Sequence, residues 1–213
     1  MQTFDPDQPG RAPIFRNMPQ VVLILTLSIV GVTMVQFFGP PDLVNWMFEA
    51  GALIGGYEYA GLQRPYGEWA PLVLHIFLHG GILHLAMNMG ALLSLGPAVA
   101  KPFGSSMSGS VVFLLFFGVC AVGGGLAQMW QFGGQDAGVA IGASSAISGL
   151  LPALGWLRGG FEGAVRMSIP WILINFALAA TAGAIQLPIA WAAHLGGLAA
   201  GFTFPFFLSL MRP

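Results

Sequence analysis

Four polar side chains that could act together in hydrolysis lie inside apolar stretches of the sequence: His84, Asn88, Ser144 and His194. A serine hydroxyl becomes an effective nucleophile when a neutral imidazole accepts its proton. Side-chain N–H groups can stabilise the oxyanion that forms on the attacked carbonyl. His84 and Asn88 are four residues apart, so a helix presents both on one face. These residue types therefore indicate nucleophilic catalysis.

A glycine pattern follows His194 and predicts how this residue is positioned. His194, Gly197 and Gly201 lie at i, i+3 and i+7, which places them on one helical face. Gly197 and Gly201 form a G-x-x-x-G step, which allows the backbone of a neighbouring helix to approach closely. If that neighbour carries Ser144, His194 is brought beside the serine and can act as its general base.

The composition places these residues in a membrane protein. The 213 residues are 56% hydrophobic and only 7% charged, with a mean hydropathy of +0.78, whereas soluble domains carry about 25% charged residues. The net charge of −1 gives no reason to expect a nucleic-acid partner. Cys120 is the one cysteine, so an internal disulfide is excluded, and its apolar neighbours favour a packing role.

Six apolar segments are each close to the ~20 residues that a helix needs to cross a bilayer. They predict an all-α six-helix bundle in one transmembrane domain, 20–210, after a cytoplasmic segment, 1–19. The mixed, aromatic-rich stretch 39–79 is typical of a loop at the membrane interface. The first apolar run lacks a cleavage site and is expected to be a retained span. The predicted spans are 20–38, 81–100, 106–130, 143–157, 168–185 and 189–210.

The charges favour a topology with both termini in the cytoplasm, because six of the seven basic residues then fall inside and only Arg64 falls outside. The second, fourth and sixth spans then enter from the outer side, so the four polar residues lie at one depth in the outer part of the bilayer. The six basic residues are Arg11, Arg16, Lys101, Arg158, Arg166 and Arg212, and the acidic residues on the opposite face are Asp42, Glu49, Glu58, Glu68 and Asp136.

The fourth span is short. Residues 143–157 make a helix of about 22 Å, less than the ~30 Å hydrocarbon core. Its start is therefore expected below the outer surface, reached through the loop 131–142. Ser144 would then lie at a submerged helix start, beside N–H groups that lack helical partners and the positive end of the dipole. That environment could stabilise a developing oxyanion.

At these residues the sequence resembles the rhomboid family of intramembrane serine proteases, over about residues 20–210. Three segments carry the resemblance. FLHGGILHLAMNM (77–89) is similar to the family's H-x4-H-x3-N pattern, and GASSAISG (142–149) to its G-x-S-G nucleophile motif. AHLGGLAAG (193–201) is similar to the motif that carries its histidine base.

The resemblance implies a role for each polar residue. Ser144 would be the nucleophile and His194 the base, while His84, Asn88 and the Ser144 backbone N–H would form the oxyanion hole. It also implies an endopeptidase that needs no cofactor and cleaves transmembrane segments of other membrane proteins near the outer face. Its partners would be these substrates and the lipid bilayer, and the expected location is a bacterial plasma membrane. No feature of the sequence selects an oligomeric state.

Three positions depart from the family pattern. Ser145 replaces the glycine after the nucleophile, Ser148 stands where many members have an aromatic residue, and Trp69-Ala70 replaces a Trp-Arg pair in the first loop. A rival hypothesis is therefore a catalytically silent rhomboid-like protein that binds membrane clients. A small transporter is a third hypothesis, disfavoured because the spans contain no carboxylate or basic residue that could couple ions.

The remaining polar residues have simpler interpretations. Ser148 is expected to bond its own helix backbone, His79 to order the junction between loop and helix, and His75 to lie at the interface. His75, His79 and His84 could suggest a metal, but no cysteine joins them and the nearest acid, Glu68, lies in the loop. A zinc site is therefore not expected.

Overall fold

The computed structural model describes residues 18–55, 64–133, 138–185 and 189–211. Several residues used above lie outside these ranges: most of the predicted cytoplasmic segment, with Arg11 and Arg16, together with Glu58, Asp136 and Arg212.

The described elements form a mostly helical chain. Within these residues, five helical stretches are long and apolar enough to cross a membrane: Gln20–Phe38, Ile82–Phe103, Met107–Phe132, Ser144–Thr181 and Trp191–Ser209. In chain order the elements are α1 (Gln20–Phe38), α2 (Pro41–Gly51), β1 (Leu53–Gly55), α3 (Pro71–Leu74), a 3₁₀ turn (His75–Phe77), α4 (Ile82–Ala100), a second 3₁₀ turn (Lys101–Phe103), α5 (Met107–Phe132), β2 (Gly138–Ala140), α6 (Ser144–Ser148), α7 (Leu150–Ile185), α8 (Trp191–Gly201) and α9 (Phe204–Ser209).

Glycines bring α5, α6 and α8 into backbone contact at the centre of the bundle. A Cβ added to Gly197 would overlap the carbonyl oxygen of Ser145, and one added to Gly201 would overlap that of Gly149. On the other side of α8, a Cβ on Gly196 would overlap the carbonyl oxygen of Gly123 in α5. Small residues permit such approach between membrane helices, where close packing contributes much of the association energy.

A sharp reversal divides α7 into two halves. Gly159 and Gly160 have non-helical backbone angles, and Gly160 adopts a φ of +58°, a conformation that favours glycine. A Cβ added to Gly155 would overlap the carbonyl oxygen of Gly163. In a straight helix these two residues would lie about 12 Å apart along the axis. The halves therefore fold back on each other. The predicted span 143–157 corresponds to α6 with the first half of α7, and the predicted span 168–185 lies in the second half.

The predicted interfacial loop contains regular structure that the sequence pattern did not indicate. Leu53 pairs with Ala140 and Gly55 with Gly138, which makes a two-stranded antiparallel sheet and corrects the all-α expectation. A Cβ on either glycine would collide with Phe132 of α5, so the aromatic ring occupies the space that two side chains would need. Strands of three residues are too short to carry a detectable alternation of polarity.

Arg64 ties the end of α2 to the first strand. Its guanidinium donates to the carbonyl oxygens of Glu49 at 2.9 Å and Ala52 at 3.0 Å, with a longer bond of 3.5 Å to Ile54. The last carbonyls of a helix lack helical partners, so these bonds stabilise the carboxyl end of α2. The first loop is thus held by Arg64, although Ala70 stands where the family pattern has arginine.

We predict that Arg64→Met lowers the free energy of unfolding by roughly 1–3 kcal/mol, because bonds from a charged donor to at least two carbonyls are lost. The matched control is Arg166→Met, which removes an exposed guanidinium. Thermal unfolding of both variants in one detergent measures the difference. A melting temperature for Arg64→Met equal to that of the control would contradict the assignment.

Candidate active site

Ser144 and His194 meet where α6 and α8 begin. The Nε2 atom of His194 lies 2.8 Å from the Oγ atom of Ser144, a hydrogen-bond distance. Ser144 is the first residue of α6, and His194 lies in the first turn of α8. Both side chains are half-buried, so the pair is open to a further group. The glycine contact between Gly197 and Ser145 lies one helical turn further along α8 and sets this separation.

Asn175 of α7 is a third member of this group, which no motif in the sequence indicated. Its Oδ1 atom lies 2.7 Å from the Nδ1 atom of His194, and its Nδ2 donates to the carbonyl oxygen of Trp171 at 2.8 Å. Asn175 is completely buried. An asparagine within an apolar span is a signal in itself, because such a group needs a polar partner in the bundle interior.

Trp171 supplies an aromatic surface for the imidazole. Its ring centroid lies 5.5 Å from that of His194, with the two planes inclined by 42°. The indole Nε1 donates to Ser148 Oγ at 2.9 Å, and Ser148 Oγ donates to the Ser144 carbonyl at 2.7 Å. Ser148 bonds its own backbone, as expected, and also anchors the indole. The aromatic residue missing from position 148 is therefore supplied from α7.

His84 and Asn88 border the backbone that leads into Ser144. The Gly80 N–H donates to His84 Nδ1 at 3.3 Å, so in the neutral ring the proton is on Nε2. Gly142 has a φ of +123°, and a Cβ built there would lie 2.8 Å from His84 Nε2 and 3.8 Å from Asn88 Nδ2. Both side-chain nitrogens thus lie near the residue two positions before Ser144, and Asn88 Nδ2 donates to the His84 carbonyl oxygen at 3.0 Å.

His75 and Ser145 form a second, buried serine–histidine pair. His75 Nε2 lies 2.8 Å from Ser145 Oγ, and His75 Nδ1 donates to the Pro71 carbonyl oxygen at 2.9 Å. The two side chains are 2% and 1% exposed, so the His75 ring lies inside the protein rather than on its surface. Ser145 fits because a glycine faces it: a Cβ on Gly124 would lie 2.5 Å from the Ser145 Cβ.

His79 joins α1 to the start of α4 and has no bond to Ser144. The Thr33 hydroxyl donates to the Phe77 carbonyl oxygen at 3.0 Å, and the Thr33 Oγ1 atom lies 3.1 Å from His79 Nδ1. The Gln36 amide bonds both the N–H and the C=O of His79, at 2.9 and 2.8 Å. This geometry agrees with a junction-ordering role. Among the described residues, no group of three or more metal-ligating side chains is assembled.

Comparisons with known proteins identify a family. The Rhomboid domain family model matches residues 66–211. The chain is 29% identical over 191 residues to rhomboid protease GlpG of Pectobacterium atrosepticum, covering 85% of this chain and 62% of that protein. It is 35% identical over 141 residues to rhomboid protease GluP of Bacillus subtilis, covering 64% and 25%. RHOMBOID-like protein 5 of Arabidopsis thaliana is 33% identical over 153 residues, covering 69% and 46%. The chain thus spans less than two thirds of the length of each of these relatives.

We predict that Ser145→Ala destabilises the fold by about 1–3 kcal/mol, because the buried His75 Nε2 loses its hydrogen-bond partner. Ser94→Ala is the matched control, since the exposed Ser94 hydroxyl bonds the Gly90 carbonyl of its own helix and no other group in the described part of the chain. Chemical or thermal unfolding in detergent reports the difference. A Ser145→Ala variant as stable as Ser94→Ala would show that the buried pair contributes nothing.

His75 also predicts a pH dependence of stability. Burial lowers the pKa of His75 from 6.5 to about 4, although its bond to Pro71 partly opposes the shift. Below pH 6.5 the unfolded chain therefore takes up a proton that the folded chain does not. Stability is expected to fall as the pH drops from 6.5 towards 4, and to change no further through His75 below that. Unfolding measured across this range should show a shallower slope for His75→Asn. An unchanged slope would refute the assignment.

Proposed function

The chain belongs to the rhomboid family, and on that basis we propose that it is a serine endopeptidase that cleaves transmembrane segments of other membrane proteins. The observation that carries the proposal is the 2.8 Å contact between Ser144 Oγ and His194 Nε2, within helices apolar enough to cross a membrane. The two relatives named as rhomboid proteases support the reaction class.

The proposed reaction begins with attack of Ser144 Oγ on the scissile carbonyl carbon while His194 Nε2 takes the hydroxyl proton. The tetrahedral intermediate carries a negative oxygen, to which His84 Nε2–H, Asn88 Nδ2–H and the Ser144 N–H would donate. His194 then returns the proton to the leaving amine as the C–N bond breaks. Water deprotonated by His194 attacks the acyl ester in turn, which releases the carboxyl product and restores the serine.

We further propose six membrane crossings with both termini in the cytoplasm. The reversal at Gly159 and Gly160 supports the count, because α6 with the first half of α7 would be one span and the second half of α7 another. Arg158 and Arg166 flank that reversal, and Lys101 follows α4, which favours a cytoplasmic location for all three. Ser144, His84 and His194 would then lie towards the outer face of a bacterial plasma membrane, in one domain, 20–210.

A catalytically silent protein that binds membrane clients is the alternative, suggested by Ser145 and Ala70. Both departures have structural substitutes here. Ser145 is accommodated by Gly124 and bonded by His75, and Arg64 holds the first loop through backbone carbonyls. These contacts favour the peptidase over the silent protein.

We predict that Ser144→Ala and His194→Ala each lower cleavage of a transmembrane substrate in proteoliposomes at least about 10³-fold, because neither nucleophile nor base can be replaced. Ser94→Ala should cleave like the wild type. A fluorophosphonate probe should label the wild type and Ser94→Ala but not Ser144→Ala. Wild-type cleavage no faster than Ser144→Ala across several substrates would favour the client-binding alternative.

A further inference from the structure

Asn175 lies within a continuous chain of hydrogen bonds that reaches the candidate nucleophile. From the Trp171 carbonyl oxygen the chain passes to Asn175 Nδ2 at 2.8 Å. It continues from Asn175 Oδ1 to His194 Nδ1 at 2.7 Å, and from His194 Nε2 to Ser144 Oγ at 2.8 Å. Three elements, α7, α8 and α6, therefore contribute to one polar pathway.

The Trp171 backbone carbonyl determines which atom donates and which accepts in each hydrogen bond of this chain. A carbonyl oxygen can only accept, so the amide NH₂ of Asn175 must face Trp171, and the amide oxygen must face His194. That oxygen also only accepts, so the proton of the neutral imidazole must be on Nδ1. The lone pair of Nε2 then faces the Ser144 hydroxyl, which is the arrangement that a general base requires.

We infer that Asn175 is a positioning residue for the proposed peptidase reaction, which holds His194 in the tautomer whose Nε2 can accept the Ser144 proton. The inference rests on the proposed function for its catalytic meaning and on the hydrogen-bond geometry for its structural content. In the opposite tautomer Nε2 would donate towards Ser144 and could not take its proton. When the imidazole becomes a cation, the same amide oxygen still accepts from Nδ1.

An amide suits this position better than a carboxylate does. A charged side chain within a membrane span is costly, whereas an asparagine orients the ring without a buried negative charge. Among the described residues, the hydrogen-bond partners of the His194 ring are Asn175 and Ser144. Asn175 therefore occupies the place that an aspartate holds in soluble serine proteases.

The surroundings of Asn175 also show a side chain directed towards the imidazole. Asn175 is completely buried, while Leu173 and Phe176 on the same helix are 63% and 56% exposed. Trp171, one turn earlier, lies against the face of His194. Two residues on one face of α7 thus hold the imidazole: Trp171 packs against its ring, and Asn175 accepts the hydrogen bond from its Nδ1–H.

Tautomer and kinetics together test the inference. In ¹⁵N-histidine-labelled protein in detergent, with His194 assigned by comparison with His194→Ala, the wild type should show a protonated Nδ1 and an unprotonated Nε2. Asn175→Leu, which keeps the branching of the side chain and removes its hydrogen-bonding groups, should show a mixture of tautomers. In proteoliposomes it should lose roughly 10²-fold in kcat with KM within about twofold, because substrate binding is untouched. Asn175→Asp keeps an acceptor for Nδ1–H and should retain at least ten times the kcat of Asn175→Leu.

Ser168→Ala is the matched control, since it removes a buried α7 hydroxyl whose partner among the described residues is the Ala164 carbonyl. It should keep the wild-type tautomer and kcat. A kcat for Asn175→Leu within threefold of wild type would overturn the inference, as would a wild-type His194 protonated on Nε2. The second result stands even if Asn175→Leu does not fold. If no Ser144-dependent cleavage occurs, the proposed function fails, while the wild-type tautomer still decides the role of Asn175.

Discussion

The contact between the backbones of α8 and α6 sets the geometry on which the rest of the site depends. Gly197 faces the carbonyl oxygen of Ser145, and Gly201 faces that of Gly149, so closely that neither glycine could carry a Cβ. At this separation the first turn of α8 places His194 within hydrogen-bond distance of Ser144. Helices kept apart by larger side chains pack about 8–10 Å from axis to axis. A shift of even 1 Å would lengthen a 2.8 Å hydrogen bond beyond its useful range.

The five-residue helix α6 cannot hold this position alone, because so short a helix has little intrinsic stability. It is fixed from three sides. The glycines of α8 contact its backbone, and Gly124 of α5 leaves room for Ser145. From the first loop, His75 bonds the Ser145 hydroxyl through its ring and the Gly142 N–H through its carbonyl. Segments distant in sequence thus determine where Ser144 lies, and the position of this residue depends on the structure of the first loop.

The parts of this structure that sequence could predict are those with local signals. Hydropathy and motif spacing predicted a helical membrane protein, and the rhomboid family is confirmed by the domain match. His75 and Ser145, which form a hydrogen bond, are 70 residues apart in the sequence. No periodicity in the sequence indicates which loop residue contacts which helix. Asn175 reaches His194 only because α7 reverses at Gly159 and Gly160. The three-residue strands are held by the fit of Phe132 over two glycines, a tertiary contact that local propensity does not encode.

The departures from the family pattern follow one physical rule, which is that a group lost at one position is supplied by a neighbour in space. Ser148 is too small to cover the imidazole, and Trp171 covers it while bonding the Ser148 hydroxyl. The bulk added by Ser145 is matched by the absence of a side chain at Gly124. Close-packed interiors require this, because neither a void nor an overlap is tolerated without cost. A residue that departs from its family is therefore best judged with the residues that touch it, and by that criterion Ser145 is part of a complete buried pair rather than a defect beside Ser144.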